Sequence, residues 1–140
     1  MERRKFFGRL GKGTLVSFLE TPLIASAKTA SLPVRSSDLL NDQEIQHMVI
    51  FNLNHEKGSE LTRKFLNDGQ KILSQIHGVN NFQVLNQVSL KNEFSFGFSM
   101  VFAGKADYDS YSNSPEHIAF VENRWKKEVS KFMEIDFKSI

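Results

Sequence analysis

The sequence predicts an α+β domain of the ferredoxin-like type, with the element order β-α-β-β-α-β and a four-stranded antiparallel sheet. Residues 45–54 and 94–102 alternate with a period of two, which is typical of strands. Residues 59–77 and 114–129 repeat apolar side chains at helical spacing. The 140 residues are enough for one domain, which we place at residues 44–140.

The first strand and helix are predicted from residues 45–77. In the strand, His47, Val49 and Phe51 share one phase, and the other phase is also partly apolar, so both faces of the strand should be covered. Ser59 is placed to cap the following helix, and Gly78 to end it. The apolar positions of this helix are Leu61, Phe65, Leu66, Ile72, Leu73 and Ile76.

The two middle strands are predicted at residues 79–90 and 94–102, with a turn between them. The second of these strands has the strongest alternation in the chain. Its bulky phase contains Phe94, Phe96, Phe98, Met100 and Phe102, and its other phase contains mostly small residues. A face of small side chains allows another layer to approach closely.

The last part of the domain is predicted as a short helix at residues 107–112, a longer helix, and a final strand at residues 132–137. Ser114 and Pro115 form a typical helix start. The apolar residues Ile118, Val121, Trp125 and Val129 follow at helical spacing. In the strand, Met133, Ile135 and Phe137 alternate with Glu134 and Asp136.

A second copy of the chain is the expected partner. The helices cover one face of the sheet, and the other face contains Met48, Ile50 and small residues. Exposure of this face to water would cost stability, so we expect a homodimer that buries about 1,600 Å² in total or more.

The first 43 residues predict a leader and a linker. Arg3, Arg4 and an aromatic pair precede a weakly apolar run and an Ala-Ser-Ala segment, which is the layout of a twin-arginine-type signal peptide at residues 1–27. Residues 28–43 have the composition of a linker. We expect export to the periplasm, with no stable membrane insertion after leader removal. The alternative is a disordered basic arm on a cytoplasmic protein.

Composition argues against several classes of function. The chain has no cysteine, which excludes disulfides and thiolate chemistry. The net charge is +2, and several positive charges lie in the first twelve residues, so no nucleic-acid partner is expected. The four histidines lack metal-site spacing, and we expect neither a metal nor a cofactor.

Four segments resemble the stress-responsive A/B barrel (Dabb) family over residues 45–138. They are residues 46–51, the Ile-His-Gly-Val junction at 76–79, the strand at 98–102, and Tyr111-x-x-Ser114-Pro115-x-His117-x-x-Phe120. The resemblance implies a dimeric α+β barrel with its helices on the outside.

The resemblance extends distantly to olivetolic acid cyclase, a plant member type that closes a polyketide by intramolecular aldol condensation. It implies that His117 acts as general base, that Tyr111 assists, and that His47 lines the pocket. A further histidine of that enzyme type corresponds to Phe96 here. Around this pocket we expect ligand-binding side chains from His47, Val49, Phe51, Phe96, Phe102 and Tyr108.

Each proposed site residue also has a structural interpretation. His117 is either a base or a side chain that fixes the start of its helix. Tyr111 is either a hydrogen-bond donor to an enolate or an aromatic cover of the core. Two functions therefore stay open: a dimeric module that binds a small apolar or phenolic molecule, and a cofactor-independent cyclase or lyase.

Overall fold

The structure, a computed structural model, describes residues 40–140. The predicted leader and the predicted linker as far as residue 39 lie outside the described residues. No helix in residues 40–140 has the length and apolar character needed to cross a membrane. The elements are β1 (Ile45–Leu53), α1 (Glu60–Leu73), β2 (Asn80–Asn86), β3 (Phe96–Phe102), α2 (Lys105–Ser112), α3 (Pro115–Phe120), a π-helical turn (Val121–Trp125), α4 (Lys126–Glu128) and β4 (Val129–Phe137).

The four strands form one antiparallel sheet in the order β2-β3-β1-β4. This confirms the predicted ferredoxin-like α+β fold. Val49 at the centre of β1 pairs with Phe98 of β3 on one side and with Glu134 of β4 on the other. Because directly paired residues of an antiparallel sheet share a face, this register fixes which side chains meet the helices.

The core lies between the sheet and the helices. Phe51, Phe98 and Phe102 are completely buried on the helix-facing side of the sheet, and Met100 is nearly so. Phe65 of α1 packs on this layer, with its ring centroid 5.9 Å from that of Phe51. Close aromatic packing of this kind adds to the stabilisation that comes from apolar burial.

Helix α1 begins with the predicted cap, because the Thr62 N–H donates to Ser59 Oγ at 3.2 Å. Its regular part ends at Leu73, earlier than the expected end at residue 77, and Gly78 with φ +88° completes the turn into β2. Two of its expected apolar positions are exposed, Leu61 at 57% and Ile72 at 37%. Gly69 takes a core position instead, where an added Cβ would lie 2.7 Å from the Phe98 ring.

The second long helix contains a π-helical turn that the sequence pattern did not predict. Phe120 and Trp125 both pack near Phe65, with ring centroids 5.6 and 6.1 Å away. A spacing of five residues would place two side chains on different faces of a straight α-helix, so one wider turn is needed to align them. Ile118, which we expected on the apolar face, is 49% exposed, because it lies two residues before the buried Phe120 and therefore on the opposite side of α3.

An ion-pair cluster holds the π-helical turn against α1. Arg124 donates to Asp68 at 2.6 Å and also to Glu128. Lys64 donates to the same Asp68 oxygen at 2.9 Å, and His55 contacts Glu128 at 2.7 Å. The hydrogen bonds from Lys64 and Arg124 lower the pKa of Asp68.

Strand β4 presents Phe132 and its two acidic residues to the helices, and Met133, Ile135 and Phe137 to the open side of the sheet. Asp136 pairs with His47 and Glu134 with Val49, so both acids lie on the helix-facing side. Met133 pairs with Ile50 and lies on the other face. The apolar and small residues of this open face are Met48, Ile50, Leu85, Gly97, Ser99, Val101, Met133, Ile135 and Phe137.

Candidate functional site

A cavity of about 220 Å³ lies between the sheet and the helices, toward the β4 edge of the sheet. Strands β1, β3 and β4 form its floor, and α1, α2, α3 and the π-helical turn form its walls. The lining is largely apolar, and its polar side chains come from four elements, β1, β4, α2 and α3. The lining residues are His47, Val49, Leu73, Phe98, Met100, Tyr111, His117, Phe120, Val121, Trp125, Phe132 and Glu134.

His117 is positioned by the start of α3. Its backbone N–H donates to Ser114 Oγ at 3.2 Å, which is the capping bond expected from the Ser-Pro start. Its Nδ1 lies 3.1 Å from the carbonyl oxygen of Ser112. Because a carbonyl only accepts, Nδ1 carries a proton, and in the neutral ring Nε2 then has a free lone pair. Burial lowers the pKa of His117, which favours that neutral form.

Tyr111 lies beside His117, with 4.5 Å between their ring centroids. The residue is only 4% exposed, and burial raises the pKa of its hydroxyl. No hydrogen bond joins that hydroxyl to another described residue, and among residues 40–140 no fully buried side-chain polar atom is left without a partner. Tyr111 lines the cavity, and its hydroxyl stays protonated and can act as a hydrogen-bond donor.

His47 is held from behind by a carboxylate. Its Nδ1 donates to Asp136 Oδ1 at 2.6 Å, and the Tyr108 hydroxyl donates to Asp136 Oδ2 at 3.2 Å. Burial, followed by the charge of Asp136, raises the pKa of Tyr108 to about 12. The ring of His47 is 6.4 Å from that of Tyr111, so His47, Tyr111 and His117 form a continuous row along the cavity.

Glu134 contributes the carboxylate of the lining. It lies opposite Val49 on the helix-facing side of β4, two residues before Asp136. Its negative charge adds to the rise in the pKa of Tyr111, after the larger effects of burial and of Tyr108. The cavity therefore combines a protonated phenol, a neutral imidazole and a carboxylate within an apolar surround.

Residues 45–139 match the stress responsive A/B barrel domain, Dabb. The chain belongs to this family. A Dabb protein of Mesorhizobium loti with a ferredoxin-like fold is 47% identical, over 69% of this chain and 97% of that one, with a TM-score of 0.69. No functionally curated protein matches the chain in sequence.

More distant structures share the Dabb fold. A protein from Bacteroides fragilis, described as dimeric and ferredoxin-like, is 15% identical over 72% of this chain and all of that one, with a TM-score of 0.56. The hydroxynitrile lyase of Passiflora edulis is 10% identical over 71% of this chain and 96% of that one, with a TM-score of 0.62. At these identities the likeness concerns the fold alone.

The structure brings four of the expected site residues of this Dabb domain into one cavity. His117 and Tyr111 line it together, as do His47 and Val49 from β1. His117 combines both roles considered for it: Nδ1 is bound to the Ser112 carbonyl oxygen and holds the start of α3, and Nε2 is left without that bond. Likewise, His47 is both paired in the core and open to the cavity.

Four other expected ligand-binding residues do not line the cavity. Phe51 and Phe102 are completely buried, because they fill the core between sheet and helices. Phe96 is 8% exposed and packs near Phe51, with 6.0 Å between ring centroids. Tyr108 stands behind His47, where it contacts Asp136.

The sequence reasoning missed both acidic residues of the site. Glu134 lines the cavity, and Asp136 orients His47. The available signal was the alternation of β4, in which two acids occupy one phase and three apolar residues the other. A strand at the edge of a dimer-forming sheet can bury its apolar phase against a partner, so its acidic phase is free to face the helices.

A larger depression of about 700 Å³ is an open groove at the surface, lined by the end of α1 and by Ser110, Ser114 and Glu116. It contains none of the expected site residues. The smaller cavity is therefore the candidate site, because it is more enclosed and polar groups converge on it.

Proposed function

We propose that this Dabb protein is an exported homodimer that binds a small apolar or phenolic molecule in the cavity between sheet and helices. The observation that carries the proposal is the cavity itself, in which Tyr111 and His117 lie side by side in a largely apolar lining that also contains His47 and Glu134. A phenolic hydroxyl can donate to the imidazole nitrogen and accept from the tyrosine, while its ring contacts Phe98, Phe120 and Trp125.

The volume of the cavity sets the size of the ligand. A cavity of about 150 Å³ in another protein accommodates benzene, whereas sites for drug-sized ligands occupy about 300–1,000 Å³. At about 220 Å³ the cavity fits a monocyclic aromatic compound with one or two substituents.

Ligand binding is tested by calorimetry and ligand-observed NMR with phenol, resorcinol and 4-methylphenol. We expect saturable binding, and we expect a tricyclic phenol, which exceeds the cavity, to fail to bind. Tyr111→Phe keeps the apolar wall but removes the donor, so it should weaken binding of the phenols. Absence of binding by all three small phenols at millimolar concentration would contradict the proposal.

The open face of the sheet supports the homodimer. Met133 and Phe137 are 50% and 49% exposed, although they lie in one row with Ile135 on the strand. An apolar sheet face of this kind is stabilised when a second layer covers it. Gly97 and Ser99 of β3 are small and leave room on the same face for a second sheet, and the Bacteroides protein of the same fold is described as dimeric.

The dimer is tested by light scattering after size exclusion at micromolar concentration. Met133→Lys places a charge on the open face and should shift the protein toward the monomer. Ile118→Lys is the matched control, because Ile118 is 49% exposed, close to the 50% of Met133, but lies on α3. A native protein that is monomeric, or a dimer that both variants leave intact, would contradict this interface.

Export is supported by the paired arginines and the Ala-Ser-Ala segment of residues 1–27. Periplasmic fractionation of the full chain tests it in a bacterium with a twin-arginine pathway. Replacement of Arg3 and Arg4 by lysine should retain the protein in the cytoplasm. Arg9→Lys is the control. A native chain found only in the cytoplasm would refute the assignment of the leader.

A second candidate function, cofactor-independent cyclase or lyase chemistry, is favoured by one observation. The bond to Ser112 fixes the proton of His117 on Nδ1, which leaves Nε2 as a base beside the protonated hydroxyl of Tyr111. A base and a hydrogen-bond donor side by side are the groups needed to form and stabilise an enolate.

The corresponding reaction is an intramolecular aldol addition, the bond-forming part of an aldol condensation. His117 Nε2 removes a proton from the carbon next to a ketone, and the electron pair moves to the carbonyl oxygen, which accepts a hydrogen bond from Tyr111. The enolate carbon then attacks a second carbonyl group of the same molecule to form a carbon–carbon bond. The proton on His117 passes to the resulting alkoxide.

Turnover of a short linear 1,5-diketone such as 2,6-heptanedione by the native protein tests this chemistry, because its enolate can close a six-membered ring. His117→Ala should lower the rate by about 10²–10⁴-fold, the contribution typical of a general base. The rate should rise with pH through the lowered pKa of His117, because only the neutral ring accepts the proton. His77→Ala, on an exposed histidine outside the cavity, is the control. Equal turnover by the native protein and a folded His117→Ala variant would remove this candidate.

A further inference from the structure

The charge of the cavity lining is negative. Among the twelve described residues that line the cavity, Glu134 is the one acidic side chain, and neither lysine nor arginine is present. The remaining lining residues are apolar apart from Tyr111 and the two histidines. An anionic ligand would therefore meet a carboxylate without a lysine or arginine to compensate for it.

The histidines do not supply the missing positive charge. His117 donates to a backbone carbonyl, and burial lowers its pKa, which favours the neutral ring. His47 is in contact with the Asp136 carboxylate at 2.6 Å, so any positive charge on its ring is already balanced. Asp136 itself adds a second acidic group behind the same wall.

The nearest arginine of the cavity wall is also engaged elsewhere. Arg124 precedes the lining residue Trp125 in the π-helical turn, but its guanidinium donates to Asp68 and Glu128. These bonds direct its charge toward α1 and α4. No lysine or arginine of residues 40–140 contributes to the cavity surface.

Glu134 is placed where it would meet a polar substituent of the ligand. Its pairing with Val49 fixes it on the helix-facing side, and the residue lines the cavity while it also remains exposed to solvent. A carboxylate accepts hydrogen bonds and cannot donate them. Hydroxyl groups of a ligand are suitable donors, whereas a ligand carboxylate is not.

We propose that Glu134 determines specificity by selecting neutral hydroxylated aromatic compounds over aromatic carboxylates. This inference rests on the proposed binding of phenolic molecules, and it adds the charge and hydrogen-bonding class of the ligand. Resorcinol, with two hydroxyl groups, should bind best, because one can meet Tyr111 and His117 while the other donates to Glu134. Benzoate, of similar size, should be excluded.

The experiment compares the dissociation constants of resorcinol and benzoate at pH 7 by calorimetry. For the native protein we expect resorcinol to bind at least about fivefold more tightly, the lower limit for like charges that are close together and screened by water. Glu134→Gln keeps the size of the side chain and removes its charge, so it should reduce this ratio at least about fivefold. Glu56→Gln, on an exposed loop outside the cavity, should leave the ratio unchanged.

The outcomes separate this inference from the function on which it rests. If resorcinol and benzoate bind the native protein equally well, or if Glu134→Gln leaves their ratio unchanged, Glu134 does not set specificity, although the cavity is a binding site. If no small phenol binds, the proposed binding function fails, and this inference fails with it. A melting curve of Glu134→Gln checks that the variant is folded.

Discussion

Filling the cavity with a larger side chain gives a direct test of whether the interior is hollow. Val49 is 7% exposed, lies at the centre of β1 and lines the cavity. Val49→Phe adds four carbon atoms, or about 50 Å³, to a space of about 220 Å³. Phenylalanine is also well accepted in strands, so the backbone should not resist the change.

The sign of the stability change distinguishes a cavity from a packed core. Filling empty volume recovers about 24 cal/mol per Å³, which gives about 1 kcal/mol of stabilisation for about 50 Å³. The same substitution in a filled core forces neighbouring side chains out of place and costs about 1–3 kcal/mol. For a domain of this size, about 1 kcal/mol corresponds to a rise in Tm of about 4–8 °C.

The assay combines chemical denaturation with resorcinol binding. We expect Val49→Phe to be at least as stable as the native protein and to bind resorcinol at least about tenfold more weakly, because the ring occupies the ligand space. Val79→Phe is the control, since Val79 packs on the core without lining the cavity. A loss of 2 kcal/mol or so in Val49→Phe would refute the reasoning, because that is the cost of overpacking.

Three further predictions concern the residues that support the cavity. Gly69→Ala should destabilise the domain by about 1 kcal/mol, since the added Cβ lies 2.7 Å from the Phe98 ring and the overpacking cost exceeds the gain in helix propensity. Asp68→Asn should have a lower free energy of unfolding than the native protein at pH 6. On acidification this free energy should fall less in the variant than in the native protein, as measured by urea denaturation. Asp136→Asn should alter the tautomer balance of His47, measured by imidazole ¹⁵N shifts.

The pH dependence expected for Asp68→Asn follows from the lowered pKa of Asp68 in the native protein. A carboxyl group with a folded-state pKa below its unfolded value of about 3.9 stabilises the protein above that value. The contribution is lost as the pH falls through the folded-state pKa. Equal acid sensitivity of the native protein and Asp68→Asn would contradict this account.

The other two predictions have their own controls. Gln70→Ala changes an exposed position beside Gly69 on α1 and should be nearly neutral. A Gly69→Ala variant that is more stable than the native protein would show that the Phe98 ring moves freely. For Asp136, the control is Asp109→Asn, and unchanged His47 shifts in Asp136→Asn would show that the ring is oriented by packing alone.

The order of the elements could be predicted because alternation and helical spacing are local properties of the chain. The alternating phenylalanines of β3 and the Ser114-Pro115 helix start needed no tertiary information, and both lie where the sequence placed them. The resemblance to the family also brought His117 and Tyr111 to attention, and the structure places both in one cavity.

What the sequence did not predict depends on tertiary packing. Phe120 and Trp125 reach the same core only through a π-helical turn, and the α-helical pattern of Ile118, Val121 and Trp125 concealed that need. Gly69 occupies a core position because a ring of β3 takes the space of its side chain. When a side chain from one element fills the space beside a small residue of another, the sequence of neither element shows it as a periodic pattern.

The division of β4 into two faces has a consequence for how this protein can vary. A deletion of one residue within the strand would exchange the two phases, because side chains alternate strictly along it. The acidic side chains would then lie in the proposed subunit contact, and the methionine and isoleucine side chains would lie in the cavity. One deletion would therefore disrupt both the dimer contact and the specificity for the ligand. We expect the protein to tolerate insertions and deletions in this strand far less than substitutions.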